Sequence, residues 1–116
     1  MGSPRVTILE MQPKLAPDAM RTYQEELEGQ VHDHCTAILR AKVTKIEADG
    51  VTYEDSIGQA HKIPADTVIL AVGMRPLNAQ AETFRPCAEN FRKLGDCVKV
   101  GNVKTVTRAA FDAAMT

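Results

Sequence analysis

The chain has 116 residues and a mass of 12.7 kDa, which suffices for one ordinary domain but not for a complete multidomain enzyme. Its hydrophobic content of 44% and charged content of 25% exclude disordered and fibrous classes. A net charge of −1 without a dense Lys/Arg block excludes the basic surface that nucleic acid or anionic lipid requires. The longest apolar run, Thr67 to Gly73, is far shorter than the roughly 20 residues of a membrane helix. We therefore expect neither a nucleic acid nor a membrane as partner.

The cysteines indicate the redox compartment of the chain, and the first residues indicate how the chain was produced. Cys35, Cys87 and Cys97 are odd in number and form no Cys-x-x-Cys pair, which favours a reducing cytoplasm over a disulfide framework. Residues 1–4 open with Met-Gly-Ser and lack the apolar stretch of a signal peptide, so they are interpreted as a leader left by expression. The chain is accordingly expected to be a piece of a longer protein.

The glycine spacing excludes two common nucleotide-binding loops. No two of the seven glycines are separated by a single residue, so a Gly-x-Gly-x-x-Gly loop is absent from the sequence. No glycine pair has the spacing of a P-loop followed by Lys and Ser or Thr. If this chain takes part in nucleotide chemistry, the usual pyrophosphate loop is not on it.

The first third predicts a strand, a helix and a second strand. Arg5 to Glu10 is β-branched and almost continuously apolar, which is typical of a strand in a parallel sheet. Asp18 is a suitable N-cap for a helix to about Glu28, and Gly29 is a plausible stop. Val31 to Cys35 then predicts a short strand, completing the unit from which parallel sheets are built.

The middle third predicts a small antiparallel meander followed by a buried strand. Apolar and charged residues alternate over 44–48, and Asp49-Gly50 indicates a tight turn before the run 51–54. A third run around 61–63 completes the meander. Residues 67–72 are continuously apolar and predict another strand, which Gly73 ends.

The last third predicts a strand, a glycine turn and a helix. Phe91 to Leu94 is the short strand, Gly95 begins the turn, and the helix starts at about Asn102. The predicted apolar face of this helix follows helical spacing and consists of Val106, Ala109, Ala110, Ala113 and Ala114. The expected fold is therefore α/β: an incomplete Rossmann-like parallel sheet with an antiparallel β-meander and a C-terminal helix.

Three segments in this order carry a family resemblance: the strand 6–10, the stretch 65–76 with the sequence ADTVILAVGMRP, and the stretch 95–99 with the sequence GDCVK. Together they resemble the pyridine-nucleotide-disulfide oxidoreductase superfamily. The similarity is greatest to the C-terminal NADH/FAD-binding region of NADH:flavin oxidoreductases of the 2,4-dienoyl-CoA reductase and Old Yellow Enzyme-like type. In that family a glycine-rich loop precedes the strand 6–10, so the resemblance implies truncation before this loop.

The resemblance implies a cofactor-binding role for Glu10. An acidic residue at the end of the second strand of a dinucleotide fold accepts hydrogen bonds from the adenosine ribose, which favours NADH because a carboxylate repels a 2′-phosphate. The alternative is a solvated glutamate at the end of a strand.

The resemblance implies two further cofactor-binding segments. Gly73 and Arg75 resemble the turn that links the NADH domain back to the flavin domain, and the alternative is a strand-ending turn. Gly95 and Asp96 match the Gly-Asp of the flavin motif, whose aspartate contacts a ribityl hydroxyl, with a helix N-terminus nearby for phosphate. The alternative there is a capped turn. The family often has proline at the position of Val100 and a glycine or an acidic residue near Arg108 to Ala110, so Val100 and Arg108 depart from the pattern.

The implied organisation divides the chain into residues 1–4, residues 5–76 as an NAD-binding-type domain lacking its first βα unit, and residues 77–116 as linker plus the terminal strand-turn-helix of a flavin-binding domain. The implied parent passes hydride from NADH to FAD and onward to FMN, reducing an enoyl-type substrate. Its partners would be the nucleotide cofactor and the remainder of the parent enzyme. This chain alone is expected to be inactive and carries no predicted catalytic residue.

Two other interpretations concern metals and self-association. His32 and His34 on a strand would share one face, but two ligands are too few for a zinc site, so no metal is expected. The absent first strand would leave a gap in the sheet, and the unit that begins at Phe91 is hypothesised to fill it within one chain or between two. The alternative function is a non-enzymatic α/β module that forms a homodimer through open sheet edges and binds no cofactor.

Overall fold

The computed structural model describes residues 4–116, so residues 1–3 of the predicted leader lie outside it. The chain divides into two compact units, residues 1–69 and residues 70–116.

The first unit begins with a strand-helix-strand arrangement. Strand β1 (Val6–Glu10) and strand β2 (Cys35–Leu39) pair in parallel, and helix α1 (Arg21–His34) connects them. The predicted parallel βαβ unit is therefore confirmed.

The boundaries of α1 and β2 correct the sequence-based prediction. Gly29 does not end the helix; α1 continues five residues further to His34, and β2 begins at Cys35 rather than at Val31. A glycine inside a helix costs only about 1 kcal/mol relative to alanine, and the helical periodicity resumes at Val31. His32 and His34 consequently lie on a helix and not on one face of a strand.

The antiparallel meander is confirmed as a second sheet. Strand β3 (Lys42–Glu47) pairs with strand β4 (Gly50–Glu54), which pairs with strand β5 (Ala60–Pro64). The central strand supplies the small core, since Val51 and Tyr53 are buried along with Ala41. The meander is the best-packed part of the described chain.

Gly50 is required by a close approach of two backbones. It pairs with Pro64, and a Cβ added at Gly50 would lie 2.2 Å from the carbonyl oxygen of Ile63. No side chain fits at that distance. The Asp49-Gly50 turn signal in the sequence therefore marks a position where only glycine permits β4 and β5 to pair.

Residues 67–72 do not form the predicted strand. The structure assigns no strand there, and the backbone amides of residues 66–77 donate no hydrogen bond to another described residue. A strand requires a neighbour for its backbone groups, and none of the described strands pairs with this segment. Residues 67–72 have the apolar composition of a strand, but no described strand lies beside them to accept and donate their backbone hydrogen bonds.

The second unit is built from short helical segments around a longer helix. Helix α2 (Asn78–Glu82) is followed by one 3₁₀ turn at Arg85–Cys87 and another at Gly95–Cys97, and helix α3 (Val103–Ala114) ends the unit. The helix predicted from about Asn102 is confirmed.

Phe91 to Leu94 forms no strand in the described structure. The prediction of a strand before Gly95 is wrong, and so is the hypothesis that this segment substitutes for a sheet strand. Instead, the charged side chains of this segment bind residues of the neighbouring helices. Lys93 forms an ion pair with Glu82 at 2.5 Å, and the Arg92 guanidinium donates to the carbonyl of Ala113 at 2.9 Å near the end of α3.

The two sheets and the C-terminal helix confirm the predicted α/β class, an incomplete Rossmann-like parallel sheet with an antiparallel meander. Among residues 4–116, none of the helices has both the length and the apolar character needed to cross a membrane.

Candidate nucleotide-binding site

The Gly95-Asp96 turn lies directly before α3. Gly95 has φ of +73°, in the left-handed region that favours glycine, and a Cβ there would meet the Val106 side chain at 3.5 Å. The 3₁₀ turn that follows places Asp96 so that its Oδ1 accepts a hydrogen bond from the Gly101 amide at 3.1 Å. The carboxylate thereby closes the loop 96–101 onto the start of α3.

The N-terminus of α3 is closed by a reciprocal cap. The Thr105 amide donates to Asn102 Oδ1 at 3.0 Å, and the Asn102 amide donates to Thr105 Oγ1 at 3.0 Å. A Cβ at Gly101 would lie 2.4 Å from Thr105 Oγ1, so the glycine leaves room for this cap. The sequence indicates the helix start at Asn102, whereas the return bond from Thr105 was not anticipated; the spacing Asn-x-x-Thr was the available signal.

Two amides of the first helical turn stay available for a ligand. The amides of Val103 and Lys104 donate to no other described residue, as expected for N–H groups ahead of the first intrahelical bond. They lie at the positive end of the helix dipole, where anions are stabilised. A concavity of about 420 Å³ adjoins them and is lined by Asp96, Gly101, Asn102, Val103, Val106 and Thr107.

Neither of the two residues that depart from the flavin motif, Val100 and Arg108, lines this concavity. Arg108 forms an ion pair with Asp112 at 3.1 Å on the exposed side of α3. It does not line the 420 Å³ concavity. The Arg108 guanidinium is therefore paired with a carboxylate of the same helix.

Cys97 is held by the same turn. Its Sγ donates to the carbonyl of Leu94 at 3.1 Å, and the thiol is half-buried. This bond links the thiol to the backbone just before the turn.

Glu10 lies at the end of β1 in the first unit. Its side chain is half-buried, and Oε1 accepts a hydrogen bond from the Gln12 amide at 2.7 Å. The Glu10 carbonyl accepts from the Ala41 amide at 3.0 Å, which ties the end of β1 to the two-residue link between β2 and β3. The carboxylate is thus positioned by the loop that follows its strand, and Oε2 accepts no hydrogen bond from another described residue.

Gly73 and Arg75 lie in the second unit, in the segment without regular structure. Gly73 has φ of +88°, in the left-handed region that favours glycine. Arg75 forms no ion pair with another described residue, so its charge is free for a ligand. Four of the five predicted cofactor-binding residues therefore belong to the second unit, and the structure brings two of them, Gly95 and Asp96, to one turn.

The other charged clusters of the described chain are structural. In the meander, hydrogen bonds from Lys62 lower the pKa of Asp49, and Lys45 together with Lys62 lowers the pKa of Glu47. Hydrogen bonds from Arg85 and Lys93 lower the pKa of Glu82 to about 2. No group of three or more His, Cys, Asp or Glu side chains among residues 4–116 could hold a metal ion.

The chain is similar to one protein in sequence and to two solved structures in fold, among others. A "Metal reductase" of Desulforamulus reducens is 28% identical over 115 residues, which cover 98% of this chain and 17% of that protein. The structure of 6-hydroxypseudooxynicotine amine oxidase from Pseudomonas geniculata superposes with a TM-score of 0.79 at 18% identity, covering 96% of this chain and 18% of that one. A 2-naphthoyl-CoA reductase in complex with 2-naphthoyl-CoA superposes with a TM-score of 0.74 at 22% identity, covering 94% and 17%.

The chain spans about a sixth of the length of these relatives. At these identities the two solved structures establish the fold alone. The family model described as "Pyridine nucleotide-disulphide oxidoreductase" matches residues 1–90, which is more than half of the chain. The chain therefore belongs to the pyridine nucleotide-disulphide oxidoreductase family.

Proposed function

We propose that this chain is a nucleotide-binding part of an NADH-dependent flavin oxidoreductase of the 2,4-dienoyl-CoA reductase and Old Yellow Enzyme-like type, cytoplasmic in location. In the parent enzyme, hydride would pass from NADH to flavin and onward to an enoyl-type substrate. The chain supplies binding groups to this reaction and no catalytic residue.

The observation that carries the proposal is the Gly95-Asp96 turn at the capped start of α3. Asp96 is exposed, and its Oδ2 accepts no hydrogen bond from another described residue. It can therefore accept from a sugar or ribityl hydroxyl. The free amides of Val103 and Lys104 suit a phosphate oxygen, because they combine two donors with the helix dipole.

These groups fit part of FAD and not all of it. Asp96 and the α3 amides offer one acceptor and two donors, which match a polyol next to a phosphate. Bound flavin would supply the hydride acceptor of the reaction. The described residues would hold its polar portion, while the remainder of the parent enzyme would complete the site.

Glu10 is proposed to recognise the adenosine ribose of NADH. Its free Oε2 can accept from a 2′-hydroxyl and would repel a 2′-phosphate, so NADH is favoured over NADPH. Gly73 and Arg75 are proposed to pass close to the dinucleotide, with the guanidinium available to its phosphates.

The test is binding of FAD and of ADP to the purified chain, followed by native mass spectrometry and by quenching of flavin fluorescence. We expect saturable FAD binding that weakens about tenfold or more in Asp96→Ala, because a hydrogen bond to a charged group contributes on the order of 1.5–3 kcal/mol. Asp112→Ala is the matched control, since it removes an exposed carboxylate from α3 on the side occupied by Arg108.

Equal binding by the wild-type chain and Asp96→Ala would contradict the assignment of Asp96. Failure of the wild-type chain to bind FAD, ADP or NADH would favour the alternative of a module without cofactor. Glu10→Gln should weaken NADH binding while leaving FAD binding unchanged, which separates the two proposed sites.

A further inference from the structure

The segment that leads into the Gly95-Asp96 turn is held in place by side chains. Within the unit 70–116, the backbone amides and carbonyls of residues 89–93 form no hydrogen bond. The segment therefore depends on the contacts of Phe91, Arg92 and Lys93. Arg92 donates to the Ala113 carbonyl at 2.9 Å, whereas the other two residues contact the segments that precede them in the chain.

Glu82, in α2, lies at the centre of these preceding contacts. Its Oε2 is 2.5 Å from Lys93 Nζ, and its Oε1 accepts a hydrogen bond from the Arg85 guanidinium. The Lys93 ammonium also donates to Asn78 Oδ1 in the same helix. The Arg85 guanidinium lies over the Phe91 ring, with 5.3 Å between Cζ and the ring centroid. One carboxylate is thus connected to both Phe91 and Lys93.

Lys93 places this ionic contact directly before the candidate site, since only Leu94 separates it from Gly95. Beyond that point the turn is held by its own backbone. The amides of Val98 and Lys99 donate to the Gly95 carbonyl at 3.0 and 3.1 Å, and Asp96 closes the loop onto Gly101. The contact of Lys93 with Glu82 is therefore the restraint nearest to the turn on its entry side.

We propose that Glu82 is a positioning residue for the candidate nucleotide site. Through Lys93 it fixes the direction in which the chain enters the Gly95-Asp96 turn, and thereby the placement of the Asp96 carboxylate. Glu82 does not line the concavity beside Asp96, so it acts through Lys93 and not on a ligand there. The effect on flavin rests on the proposed function, whereas the effect on the turn requires no ligand.

The first experiment measures hydrogen exchange of the Gly101 amide by NMR without ligand, because this amide donates to Asp96 and reports on the turn. Glu82→Gln keeps the size of the side chain and removes its charge. We expect Gly101 to exchange roughly threefold to fivefold faster, the range of a modest ion-pair effect, while the amides inside α3 keep their rates. Asp112→Asn is the matched control, since it removes a carboxylate paired with Arg108 in the same unit and should leave Gly101 unchanged.

A double-mutant cycle tests whether Glu82 acts through Lys93. Lys93→Gln should accelerate exchange at Gly101 at least as much as Glu82→Gln does. The double variant should exchange no faster than Lys93→Gln alone, because the second substitution then removes a contact that is already lost. Additive effects would overturn the proposed route. An unchanged Gly101 rate in Glu82→Gln, or equal acceleration along α3, would overturn the positioning role itself.

Binding of FAD provides the second readout. Glu82→Gln should weaken FAD binding by the same roughly threefold to fivefold, and Asp112→Asn should not. Unchanged FAD affinity together with faster exchange at Gly101 would overturn the connection between Glu82 and the site. If the wild-type chain binds no FAD, the proposed function fails, and the exchange rates still decide whether Glu82 positions the turn.

Discussion

Gly101 shows how a single missing side chain shapes the candidate site. Its absent Cβ leaves room for Thr105 Oγ1, which accepts from the Asn102 amide, while its own amide donates to Asp96. One residue therefore joins the aspartate to the helix cap. This role is not readable from glycine spacing, because it depends on a contact four residues further along the helix.

Replacing Gly101 with alanine is expected to open the cap of α3. The new Cβ would lie 2.4 Å from Thr105 Oγ1, so the threonine must leave the Asn102 amide. Loss of a cap costs about 1 kcal/mol, and amide hydrogen exchange along α3 should accelerate accordingly.

Gly29→Ala is the matched control for that experiment. Gly29 lies inside α1, and a Cβ there would meet no other residue within 4 Å. Since alanine is a better helix former, the variant should stabilise α1 by about 1 kcal/mol. If both variants changed hydrogen exchange in the same direction, the proposed role of Gly101 would be wrong.

At the scale of an element, the loop between β4 and β5 is organised by one carboxylate. Asp55 accepts from the amides of Ile57 and Gln59 at 3.0 and 2.9 Å, and its Oδ2 lies 2.8 Å from His61 Nε2. The His61 ring stacks on Tyr53 with 5.2 Å between the ring centroids. The Asp55 carboxylate thus links the β4–β5 turn to His61, whose ring stacks on the buried Tyr53 of the meander.

We expect the meander to lose stability in acid through Asp55. The hydrogen bond from His61, aided by that from Gln59, lowers the pKa of Asp55 below its usual 3.8. A depressed carboxyl pKa contributes stability that is complete above the unfolded value and is lost as the pH falls through the folded value. Urea unfolding followed at pH 6, 4 and 3 should therefore show a decline that is steepest below pH 4.

Asp55→Asn should flatten this acid dependence, because the amide does not titrate but can still accept from the turn. Asp18→Asn, in the loop before α1, provides the control and should keep the wild-type profile. An unchanged profile in Asp55→Asn would show that other carboxylates determine the acid response, and Asp49 and Glu47 would then be tested next, since their pKa values are also lowered.

At the scale of the whole molecule, the described chain has a very small core for its length. Among residues 4–116, only Ala41, Val51 and Tyr53 are buried apolar residues. On α1, Tyr23 is 70% exposed. Burial of apolar surface is the main favourable contribution to folding, so further surface must be covered for high stability.

Much of the fold could be predicted where local signals decide the structure. Asp49-Gly50 indicates the turn between β3 and β4, Asn102 indicates the start of α3, and the Val6 run indicates β1. Gly95-Asp96 could likewise be singled out as a candidate site. The hydrogen bond from Gly101 to Asp96 could not, because it is made between residues that no pattern connects.

The sequence by itself determined the α/β class, the parallel βαβ unit, the meander and the C-terminal helix. Only the tertiary structure decided that residues 67–72 and 91–94 form no strand and that α1 continues through Gly29. The reason is that a helix satisfies its backbone groups within its own segment, whereas a strand depends on a partner elsewhere. Apolar composition therefore predicts that a segment is suited to a sheet, and the availability of a neighbouring strand decides whether it joins one.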